Sequence, residues 1–132
     1  MSAWKDLRAW MATSTVAHVA FGFLSMGGWA VFANRDHALG QMLLSGLVQG
    51  TISGLLTLGL KKFLEWFNAK LAGAAALIVP PLITAATILG ILTTAHTLAG
   101  TPEIAATIAV PFTVSTSYAI IYNWGLWRRR RA

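Results

Sequence analysis

His18 is the one ionisable side chain set well inside a long apolar run of this 132-residue chain. An imidazole titrates near neutrality, so in apolar surroundings it is a candidate for handling a solute or a proton. It shares a helical face with Thr15, Gly22, Ser25 and Trp29. Counted inward from the basic ends of four apolar runs, His18, Ser53, Thr84, Ser117 and Tyr118 lie about six to nine residues deep, with Gln49 slightly deeper. These six residues are the candidate pathway for a substrate. The plainer role for His18 is that of a neutral, hydrogen-bonded residue in a helix bundle.

A second pattern concerns packing. Gly46, Gly50 and Gly54 recur every four residues, a double small-xxx-small stripe that lets another helix approach closely. Beside it runs a polar series, Gln41, Ser45, Gln49, Ser53 and Thr57. Facing lipid, such groups would lose their hydrogen bonds at a cost of about 1–3 kcal/mol each, so they must face protein or water. This helix face is expected to pack within the chain; a subunit interface and a solvated pathway are the alternatives.

Arg128, Arg129, Arg130 and Arg131 follow Trp124 and Trp127 directly. This run suits a topology anchor, and it can contact anionic lipid head groups. It lacks the folded basic surface or aromatic platform that nucleic acid requires, so no nucleic-acid partner is expected. His37 and His96, with Asp36 and Glu103, lie near the ends of their runs, yet no spacing fixes them as metal ligands. The sequence shows no Ser-His-Asp set, phosphate-cradling Gly loop, paired catalytic carboxylates or HExxH, and Cys is absent. No enzyme activity, metal or cofactor is expected.

The elements that must position these residues follow from the charges. Only 11% of the chain is Asp, Glu, Lys or Arg, against 56% hydrophobic residues; a soluble domain carries about 25% charge. All fourteen charges fall outside the stretches 12–32, 39–60, 77–98 and 104–126. Each stretch exceeds the ~20 helical residues that cross a hydrocarbon core of ~30 Å. The runs are continuous and do not alternate as barrel strands would. Lys5 and Arg8 before the first run imitate a secretory signal, but that run is longer than such segments and reads as a span.

The predicted fold class is therefore all-α, a polytopic integral membrane protein whose four transmembrane helices form two antiparallel hairpins in one membrane domain. Nine of the ten Lys and Arg residues fall at the N-terminus, in the middle loop 61–76 and in the tail 127–132; Arg35 alone lies opposite. This asymmetry puts both termini in the cytoplasm, with the protein in a bacterial cytoplasmic membrane. Segments 1–11 and 61–76 mix bases with Trp and Phe, and both read as cytoplasmic extensions of spanning helices; a surface-lying helix is the alternative. Pro80 and Pro81 are expected in the first turn of the third span. Pro111 must be internal to the fourth, freeing the Thr107 carbonyl for a Ser/Thr side chain or water.

The leading functional expectation is handling or transport of a lipid-like or anionic solute at the inner leaflet, by a homo-oligomer among anionic lipids. The alternative is a non-catalytic subunit that docks on a larger membrane complex through the glycine stripe. With no acid inside a span, cation or proton-driven antiport is disfavoured.

Overall fold

The computed structural model describes residues 2–132 as five helices: α1 Ser2–Thr13, α2 Thr15–Ala33, α3 Leu39–Ala69, α4 Gly73–Ala99 and α5 Ile104–Arg131. No strand occurs among the described residues. Helices α2 to α5 are each long and apolar enough to cross a membrane, matching the four charge-free stretches. Their surface is compatible with that setting. Leu98, Phe21, Val16 and Leu24 are each at least 70% exposed, while Gln49, Asn34, His96, Thr107 and Asn123 are fully buried. An apolar exterior of this extent suits lipid better than water.

Three boundaries refine the sequence expectation. The segment 1–11 does not extend the first span. Ser14 takes an extended conformation and its hydroxyl accepts the Ala17 N–H, so α2 begins with a serine cap and α1 stands apart as a separate helix with no buried residue. The segment 61–76 is an extension as expected, since α3 continues to Ala69 and only residues 70–72 connect it to α4. At 31 residues α3 is about 46 Å long, well beyond a hydrocarbon core. Its overhang is supported by stacked Phe63, Trp66 and Phe67 and by Lys61 beside Glu65 one turn on. Third, Pro80 and Pro81 do not start a helix. They lie inside α4, which begins at Gly73 and runs through three alanines, the best helix formers.

Helix α2 packs on α3, and α4 packs on α5; α3 also meets α4 and α5, and α5 reaches α2. No contact joins α2 to α4, so α3 and α5 form the central pair. At the end carrying the two short turns, Gly100 closes α4 in the left-handed region at φ 70°, a conformation that only glycine adopts without strain.

The α2–α3 contact is made by backbone. A Cβ at Gly27 would stand 2.9 Å from the Gly46 carbonyl oxygen, and one at Gly50 2.9 Å from the Phe23 carbonyl oxygen. Gly54 faces Val19, and a Cβ at Gly22 would meet Thr57 and Ser53. Glycines on both helices thus interlock, and the Gly46, Gly50 and Gly54 stripe is filled by α2 of the same chain. Gly50→Leu is expected to lower stability by about 2–3 kcal/mol through overpacking, whereas Gly90→Leu, which meets open space, should leave it unchanged. Reversible SDS unfolding in mixed micelles, followed by circular dichroism, measures both.

Candidate functional site

Helix α4 buries a stripe at four-residue spacing: Ala76, Pro80, Thr84, Ile88, Leu92 and His96. Helix α5 does the same with Thr107, Pro111, Ala119 and Asn123. Two polar members of these stripes, His96 and Asn123, meet partners from α3 in two separate layers.

The first layer lies at the basic end of the bundle. Pro80 and Pro81 have no N–H, so the carbonyls of Ala76 and Leu77 lose their usual helical donors. Asn123 replaces them, its Nδ2 donating to the Ala76 oxygen at 3.0 Å and to the Leu77 oxygen at 2.9 Å. Asn68 from α3 donates to the Ala76 oxygen at 2.9 Å and to Asn123 Oδ1 at 2.9 Å. Arg130 closes the cluster by donating to the Asn68 carbonyl at 2.5 Å and to Asn68 Oδ1 at 2.9 Å. Two prolines in α4, one asparagine from α3 and one from α5 therefore form a single clamp. Arg130 belongs to it and is more than a topology anchor.

The second layer lies toward the opposite end, beside the α4–α5 turn. His96 is fully buried, with Nδ1 2.7 Å from the Thr101 hydroxyl and Nε2 2.9 Å from Gln49 Oε1. Gln49 donates through Nε2 to Ser53 at 2.9 Å, so its Oε1 is left to accept. That assigns the imidazole hydrogen to Nε2 and makes Nδ1 the acceptor of the Thr101 hydroxyl. Ser45 adds a bond to the Gln41 carbonyl at 2.8 Å and a longer one to Thr101. The polar series of α3 thus faces protein at Ser45, Gln49 and Ser53.

The two turns are stapled to each other. Asn34 donates to the Thr107 hydroxyl at 2.7 Å and accepts the Glu103 N–H at 3.0 Å, while His37 lies 3.0 Å from Glu103. His37 and His96 are thereby committed to different partners, and no group of three metal-ligating side chains occurs among the described residues. Pro111 lies inside α5 as expected, and among the described residues no side chain bonds the Thr107 carbonyl. The Thr107 hydroxyl turns to the Glu103 carbonyl, and Trp29 donates to the Ala106 carbonyl at 2.9 Å.

Between α2, α3 and α5 lies a cleft of about 510 Å³. His18, Ser53 and Tyr118 line it, so three of the six candidate pathway residues come together. The others do not join them. Gln49 is consumed by His96, Thr84 is buried with its hydroxyl unpartnered, and Ser117 lies on the outer surface. Apolar walls come from Phe21, Leu56, Leu60 and Val114, and Lys61 stands at the basic end. From Lys61 to Ser53 on α3 the cleft extends about 12 Å along the bundle. Next to it Tyr118 stacks on Tyr122, whose hydroxyl donates to Glu65.

Sequence reasoning missed His96, Asn68 and Asn123. His96 lies at the end of its apolar run, and only its four-residue register with Pro80 and Thr84 marks it as part of the buried face of α4. Comparison with protein-family models, curated proteins and solved structures finds no match.

Asn123→Leu is expected to cost about 2–3 kcal/mol, the penalty for a buried carbonyl left without a donor. In a Pro80→Ala/Pro81→Ala background the restored N–H groups should at least halve that cost. A double-mutant cycle measured by the same unfolding assay checks this, and equal costs in both backgrounds would separate the asparagines from the prolines.

Proposed function

We propose that this is a non-enzymatic integral membrane protein that takes a lipid-like amphiphile from the inner leaflet into the cleft between α2, α3 and α5. In this reading the four spans form two antiparallel hairpins, both termini lie in the cytoplasm, and the basic end faces the cytoplasmic leaflet. The observation that carries the reading is the lining of the cleft: apolar walls along most of its length, a lysine at the head-group end, and His18, Ser53 and Tyr118 along one passage.

The chemistry supports binding over catalysis. A cleft of about 510 Å³ falls in the size range of small-molecule sites, with few polar groups on apolar walls. Ser53 accepts a hydrogen bond from Gln49, which leaves its own hydroxyl proton free for an acceptor atom in the cleft. His18 lies at the cleft without a hydrogen-bond partner among the described residues, so it lacks the orienting group that a general base uses. Lys61 is paired only loosely with Glu65, at 3.9 Å and with both side chains well exposed, so its charge remains available to an anionic head group.

Two measurements test this reading. Proteoliposomes with a head-labelled phospholipid should show faster loss of inner-leaflet label to an external quencher than protein-free vesicles. Val114→Trp, which fills the cleft from an exposed wall, should slow that exchange about tenfold, equivalent to ~1.4 kcal/mol of barrier, without changing the unfolding midpoint. An unaltered rate in this variant would sink the assignment of the cleft. Orientation is tested by single cysteines in the cysteine-free chain. In whole bacterial cells, Asp36→Cys should react with an impermeant maleimide, and Ala132→Cys only after permeabilisation.

A further inference from the structure

A second hollow, of about 410 Å³, lies between the start of α4 and the end of α5. Gly73, Ala76 and Leu77 form one side, and Trp127, Arg130 and Arg131 form the other. We propose that this hollow is a binding site for the phosphate group of an anionic phospholipid, held by Arg130 and Arg131 against Trp127. The site is distinct from the α2–α3–α5 cleft and does not depend on what that cleft carries.

Three observations converge on an anion. First, both guanidiniums are oriented by the fold. Arg130 is held by its two bonds from Nη1 to Asn68, which leave Nε and Nη2 free to donate. Arg131 lies over the Trp127 ring, 4.5 Å from its centroid, with no hydrogen bond to the protein among the described residues. Second, their charge has no protein counterion. The ion pairs among the described residues are His37 with Glu103 and Lys61 with Glu65, and no carboxylate reaches either arginine. Arginine stays ionised at any physiological pH, so two positive charges line one hollow with no ion-pair partner among the described residues. Third, the remaining wall is apolar. Trp127, itself anchored by a 2.9 Å bond to the Gly73 carbonyl, together with Leu77 and Ala76 offers a surface along which the glycerol and the first acyl carbons could lie.

A guanidinium fork matches phosphate oxygens, and two forks on one hollow favour an anionic phosphodiester over a zwitterionic lipid, whose own ammonium would be repelled. Ala76 and Leu77 are also the residues whose carbonyls the asparagine clamp holds. A head group seated on Arg130 therefore sits one hydrogen bond away from the α3–α4–α5 junction and should tighten it.

The full chain in nanodiscs, prepared with phosphatidylglycerol or with phosphatidylcholine, provides the test. Retained lipid is counted by native mass spectrometry and the thermal midpoint is read by circular dichroism. The wild type should retain phosphatidylglycerol in preference and unfold at higher temperature in it. Arg131→Gln, which breaks no hydrogen bond in the protein, should reduce the preference about fivefold while leaving the midpoint in phosphatidylcholine unchanged. Arg129→Gln, outside the hollow, should change the preference less than about twofold. Equal losses from the two variants would overturn the proposal in favour of a diffuse basic tail, as would a wild type that holds both lipids alike. Soluble glycerol phosphate identifies the source of the phosphate. Displacement of phosphatidylglycerol by it supports a site for free phosphate esters, and persistence of the lipid with the Arg131→Gln effect intact supports a lipid site.

Discussion

A prolyl pair inside an apolar helix leaves two carbonyls that hydrocarbon cannot satisfy, and the bundle is organised around supplying their missing donors. The Ala76 and Leu77 carbonyls take their hydrogens from Asn68 on α3 and Asn123 on α5. An amide side chain reaching two or three acceptors at ~3 Å tolerates little sliding or rotation, so this cluster sets the register of three helices at once. Arg130 extends the same cluster to the end of the chain and brings its charge to the hollow beside α4.

The remaining contacts divide the work between shape and polarity. On one side of α3, glycines allow α2 to approach until backbone meets backbone, with dispersion and close packing as the attraction. Another face of α3 carries Ser45, Gln49 and Ser53, which complete the buried chain through His96 to Thr101. α3 is therefore the helix on which the others are assembled. The cleft is lined by residues of α2, α3 and α5, and Ser53 belongs both to its wall and to the buried chain.

Part of the site was legible in the chain. His18, Ser53 and Tyr118 stand out by polar side chain and by depth, and both are properties that each helix carries by itself. Gln49, Thr84 and Ser117 had the same depth but different azimuths. The first faces α4, the second is buried without a partner, and the third points outward. Azimuth relative to a neighbour depends on how helices rotate against each other, and a residue count cannot contain that information. The same reason hid His96. Its position near the end of an apolar run looked peripheral until α3 presented Gln49 at its level.

The sequence by itself determined the four apolar spans and the exclusion of every Asp, Glu, Lys and Arg from the charge-free stretches, because a charge in hydrocarbon costs too much to be placed anywhere but outside. It also marked the glycine stripe, since close helix approach requires small side chains on a single face. Only the tertiary structure decided that α2 of the same chain fills that stripe, that α4 begins before its prolines, and that Ser14 divides α1 from α2. The physical reason is common to the first two. A proline or a glycine states what a helix lacks, a donor or a side chain, and the group that supplies it lies on another helix, brought there by the fold.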